Sequence, residues 1–99
     1  MTLEQTLISV WQQALIDLVG VVELEGHSYP VHRTSGRRLR QVDFTFEGKQ
    51  LRGLEQNPNT KSRWAQLARS GKRVMQFLDA GRYIAVVVNG KVTFYGGSG

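Results

Sequence analysis

Leu3, Leu7, Val10, Trp11, Ala14, Leu15 and Leu18 recur at spacings of three and four, the period of one helix face, and predict a helix over 3–18. Thr2 followed by Gln5 has the form of a capping box, in which each side chain satisfies a free backbone N–H of the first turn. Gly20 supplies a stop. The opposite face carries no Lys or Arg to meet lipid headgroups, so the apolar stripe is expected to pack on a sheet rather than lie on a membrane.

From Val19 the pattern changes to short β-rich runs, 21–25, 29–33, 38–47 and 50–56, separated at Gly26 and His27, at 34–37 and at Gly48. Val42, Phe44 and Phe46 alternate with Asp43, Thr45 and Glu47, which predicts a strand with one buried and one wet face. Pro30 has no N–H for a ladder bond, so its strand is expected at a sheet edge or to begin there. Asn57, Pro58, Asn59 and Thr60 form a turn cluster, and Trp64, Leu67 and Ala68 then follow at helical spacing as far as Ser70 and Gly71. Thr60 is the expected cap of this second helix. Runs 73–78, 82–88 and 91–95 read as further strands, with Asn89-Gly90 the strongest hairpin signal in the chain. Ile84 to Val88 is apolar on both faces and reads as a central strand.

The fold class is therefore α+β: an N-terminal amphipathic helix, an antiparallel meander of about four strands, a short second helix and a three-stranded C-terminal antiparallel meander, with the helices packed on sheet. A weak internal repeat relates Trp11, Gln13, Val21 and Tyr29 to Trp64, Gln66, Val74 and Tyr83. No polar or Pro/Ser-rich stretch divides the 99 residues, so residues 1–95 are read as one domain and 96–99 as a flexible Gly/Ser tail. Cysteine is absent, which removes disulfides and thiolate metal sites and points to a reducing compartment, the cytoplasm. No membrane association is expected.

Charge alters the picture more than overall composition does. Residues 1–32 hold Glu4, Asp17, Glu23 and Glu25 without any Lys or Arg; the rest holds all 13 Lys and Arg against four acids. The first part is formally −4 and the remainder +9, so one side of the folded domain can carry a positive potential.

Signals for catalysis are lacking. His27 and His32 fall five residues apart on or beside one strand, too few and wrongly spaced for a zinc site, and no metal or cofactor is expected. None of the six serines sits in a nucleophile elbow, and Ser70-Gly71-Lys72 lacks the glycine spacing of a phosphate loop. Two basic segments remain: Arg33, Arg37, Arg38 and Arg40 around a turn, and Lys61, Arg63, Arg69, Lys72 and Arg73 around the second helix. Guanidinium groups at element ends suit bidentate phosphate binding. Trp64, Tyr29 and Tyr83 are candidates for stacking on a base. No sequence-specific nucleic-acid motif is present, so the expected function is a non-enzymatic binding module holding an anionic partner, RNA or DNA through its backbone. The alternative is an accessory or assembly protein that docks on an acidic protein complex, and oligomeric state is left open.

Overall fold

The computed structural model describes residues 2–15, 20–33 and 40–95, the side chains of residues 14, 15 and 33 excepted. Helix α1 spans Leu3–Leu15. Its start is the capping box read from the sequence: Thr2 N donates to Gln5 Oε1 at 3.1 Å and Gln5 N to Thr2 Oγ1 at 3.2 Å. Leu7 and Val10 are fully buried, while Leu3 and Trp11 pack against the same core and stay partly accessible. The predicted continuation to residue 18 lies outside the described residues.

Seven strands follow: β1 (Gly20–Leu24), β2 (His27–Arg33), β3 (Gln41–Phe46), β4 (Lys49–Glu55), β5 (Val74–Asp79), β6 (Arg82–Val88) and β7 (Lys91–Phe94), with helix α2 (Arg63–Arg69) between β4 and β5. The sequence predicts two meanders; the protein forms one sheet in the order β1 to β7, every neighbouring pair antiparallel. The junction is the β4–β5 pairing, from Leu51↔Asp79 to Glu55↔Met75. Left apart, β4 and β5 would each present a row of unpaired backbone groups, and joining them satisfies both edges.

Pro30 is likewise not on an edge strand, because β2 pairs with β1 on one side and β3 on the other. Pairing with β3 begins at Val31, so the missing N–H of Pro30 costs no bond there. Four hairpins turn through residue pairs with positive φ at both positions: Glu25-Gly26, Glu47-Gly48, Ala80-Gly81 and Asn89-Gly90. These are turns whose twist matches that of the strands they join.

Alternation divides the strands between two faces. One face carries Val22, Tyr29, Val31, Val42, Phe44, Leu51, Met75, Phe77, Ala85 and Val87, which form the core with Leu7 and Val10 of α1. Gly53 lies within it, where a Cβ would come 2.8 Å from Phe77 Cε1, so the ring of Phe77 occupies the space that the glycine leaves. Phe77 meets Phe44 edge to face, with ring centroids 6.0 Å apart. On the opposite face α2 packs against β5, and Val74, Val86 and Ala65 are buried there. Its N-cap is Ser62, whose Oγ accepts from Ala65 N at 3.0 Å, in place of the predicted Thr60; Thr60 instead donates its hydroxyl to Asn57 O within the preceding turn.

The β5–β6 register shifts between Phe77 and Leu78, so that Phe77 pairs with Ala85 and Leu78 with Tyr83, with Ile84 as the extra residue. Ile84 thereby packs against the core beside Ala85, and Tyr83 is turned to the face that α2 only partly covers. The halves aligned by the weak repeat differ accordingly: Tyr29 is buried and Tyr83 is 48% exposed. Among the described residues no helix is long and apolar enough to cross a membrane.

Candidate anion-binding site

The meander gives the sheet two unlike ends. Three tight hairpin turns, β1–β2, β3–β4 and β5–β6, lie at one; the connections 34–39 and 56–73 and the β6–β7 turn leave from the other. Charge follows this division. Near the hairpin end stand Glu23, Glu25, Glu47 and Asp79 with Lys49 and Arg82, and Lys49 Nζ lies 3.9 Å from Asp79 Oδ2. Among the described residues, the connection end holds Arg40, Lys72, Arg73 and Lys91 with one carboxylate, Glu55.

Between α1, α2 and this end of the sheet lies a cavity of about 330 Å³, lined by Trp11, Arg40, Glu55, Gln56, Lys72 and Arg73, with Pro58, Ala68, Val74 and Met75 as its apolar wall. Glu55 holds Arg40 in place: its Oε2 accepts from Arg40 N at 3.2 Å and stands 3.9 Å from Arg40 Nε, while Glu55 N donates to Arg40 O at 2.9 Å. Arg73 is fixed through its backbone, with Arg73 N donating to Asn89 Oδ1 at 2.8 Å and Asn89 N donating to Arg73 O at 2.9 Å. The side chains of Lys72 and Arg73 are exposed. Three cations against one carboxylate leave the lining formally +2. Two buried polar atoms on lining residues have no hydrogen-bond partner, the indole Nε1–H of Trp11 and Oε1 of Gln56. Such atoms are costly in a packed interior and are commonly paired by a ligand or water.

The basic residues singled out from the sequence thus separate into groups. Arg40, Lys72 and Arg73, from two distant segments, meet at the cavity. Arg69 belongs to the structure of the turn: its Nη1 donates to Pro58 O and to Thr60 O, the latter at 2.9 Å, which tie the end of α2 to the 57–60 turn and take its guanidinium away from a ligand. Lys61 is exposed ahead of α2, and the guanidinium of Arg63 sits 5.1 Å from the Trp64 ring centroid. Arg33 ends β2 opposite Val42, its side chain outside the described residues, as are Arg37 and Arg38.

Of the aromatic candidates, Tyr29 is a core residue, 8% exposed with its ring 5.5 Å from that of Phe46, and has no face free for a base. Trp64 and Tyr83 join through Tyr95, which meets Trp64 edge to face at 5.9 Å and Tyr83 at 6.2 Å. His27 and His32 are exposed on opposite faces of β2, opposite Leu24 and Asp43 respectively. The sequence marks Trp11 only as part of the apolar stripe of α1 and does not single out Glu55, Gln56 or Tyr95 as site residues. Glu55 had a signal, as the acid at the end of a strand that leads into the basic connection. Compared with known proteins, the chain matches no family model, no curated protein and no solved structure.

Proposed function

We propose that this protein is a non-enzymatic binding module that holds a phosphate-bearing partner, RNA or DNA through its backbone, at the connection end of the sheet. The observation that carries this reading is the meeting of Arg40 with Lys72 and Arg73 around one cavity, although 32 positions separate Arg40 from Lys72 in sequence. Cations gathered from separate elements at one end, with the acids concentrated at the other, give a directional potential that steers a polyanion to that end. Glu55 orients Arg40 and limits the positive charge, which suits contact with a backbone more than the capture of a free multivalent anion.

The test is fluorescence anisotropy with labelled RNA and DNA at several salt concentrations. Affinity is expected to fall steeply as salt rises, because each neutralised phosphate releases condensed counterions, and Lys72→Gln with Arg73→Gln should flatten the logarithmic slope by about two. Binding no tighter than that of an unrelated protein of equal net charge rejects this reading and leaves docking on an acidic protein complex as the better one.

A further inference from the structure

We infer that the open sheet face around Tyr83 is a subsite for the unstacked bases of a single strand, an inference that rests on the backbone-binding reading above and extends it. The bulge at Ile84 places Tyr83 on this face, at the second residue of β6 beside the β5–β6 turn, where the ring is 48% exposed. The rings of Tyr83, Tyr95 and Trp64 form a continuous cluster, and the guanidinium of Arg63 covers the Trp64 end of it. Packing accounts for Trp64 and Tyr95, which are half-buried beside α2, but it leaves much of Tyr83 uncovered.

Beside Tyr83 the same face holds a groove of about 290 Å³, whose lining includes Asp43, Gln50, Arg52, Leu54 and Leu78. Leu78 is the cross-strand partner of Tyr83, so the groove adjoins the ring. Arg52 Nε donates to Asp43 Oδ1 at 3.3 Å, and together with Gln50 these residues offer both donors and acceptors to the edge of a base stacked on Tyr83. Beside Tyr83 the groove wall mixes Leu54, Leu78 and Ala80 with the polar Asp43, Gln50 and Arg52. Bases inside a duplex are already stacked and cannot reach a sheet face, but splayed bases stack on exposed rings. The six steps of β6 from Tyr83 to Asn89 correspond to about 20 Å, so a strand of a few nucleotides spans from the ring to the cationic end.

The experiment compares a fluorescein-labelled single-stranded 12-mer of DNA, its duplex and an abasic oligomer of equal length, against the wild-type protein, Tyr83→Ala, Tyr83→Phe and the Lys72→Gln, Arg73→Gln double variant. The single strand should bind about tenfold more tightly than either other probe. Tyr83→Ala should lose about fivefold to hundredfold of single-strand affinity, the range of one base stack, with duplex and abasic binding unchanged and Tyr83→Phe retaining the wild-type value. Thermal melting of Tyr83→Ala verifies that the variant is folded. Equal affinity for all three probes, or single-strand binding that is indifferent to Tyr83→Ala, overturns the base subsite; sensitivity to the double variant in that case leaves the backbone site standing alone. Failure of all three probes to bind above a charge-matched control overturns both.

Discussion

The two ends of the sheet are built from the same strands and do different work. At the hairpin end the chain reverses in two residues each time, and its charges are mainly acidic, with Lys49 paired to Asp79. At the connection end the chain makes its long excursions, and side chains from the β3 entry, the approach to β5 and α1 converge on one cavity. Tight turns confer register and stability with little room for a site, whereas longer connections over a rigid scaffold can gather groups that are remote in sequence. The contrast assigns stability to the sheet and its hairpins, and the phosphate contacts to the connections.

This division requires first that the sheet be a rigid body common to both ends. Phe77 is fully buried against Phe44 and above Gly53, so Phe77→Ala should cost about 3–5 kcal/mol in denaturant unfolding. A loss below about 1 kcal/mol would mean that the core between the ends is not packed as described. Gly53→Ala approaches the same ring from below and should cost about 1–3 kcal/mol, since its Cβ meets Phe77 Cε1 and Met75 Sδ at 2.8 and 3.1 Å. Phe77→Leu combined with Gly53→Ala should recover part of that loss, which identifies the clash as its cause.

At the hairpin end, Gly48 has φ +81° in a turn with open space around it, so Gly48→Ala tests backbone conformation without a steric contact. It should cost about 1–2 kcal/mol, the penalty of a left-handed residue with a Cβ, and leave the oligonucleotide affinity of the folded protein unchanged. A change in affinity equal to that of the cationic variants would erase the distinction between the ends. The smallest stability effect belongs to the connection end: Lys72 and Arg73 are exposed, so replacing both with Gln should shift unfolding by no more than about 0.5 kcal/mol while weakening binding.

Much of the scaffold was legible because its local signals agree with one another: the Thr2 and Gln5 cap, the alternation from Val42 to Phe46, and Asn89-Gly90 each report a single physical requirement. The joining of β4 to β5 was not, since pairing across residues 56–73 depends on backbone edges and leaves no periodic trace. Glu25-Gly26, Glu47-Gly48 and Ala80-Gly81 adopt the same positive φ pair as Asn89-Gly90, with the sheet's twist imposing on Glu and Ala a conformation that neither prefers. At the site, Arg69 and Arg73 look alike in sequence, but only the structure shows that Arg69 is tied to the Pro58 and Thr60 carbonyls. Tyr29 and Tyr83 are equally ambiguous, and a one-residue bulge decides which face Tyr83 takes.

The central claim, that the partner sits at the connection end, is tested most directly by following backbone amide NMR signals during titration with a short oligonucleotide. The expected result is saturable shifts concentrated at Arg40, Gln56, Lys72, Arg73 and Asn89, the residues that line the cavity or hold its rim, with the Glu25-Gly26 and Glu47-Gly48 turns unmoved. Shifts centred on those hairpin turns, with none at the cavity residues, would contradict it.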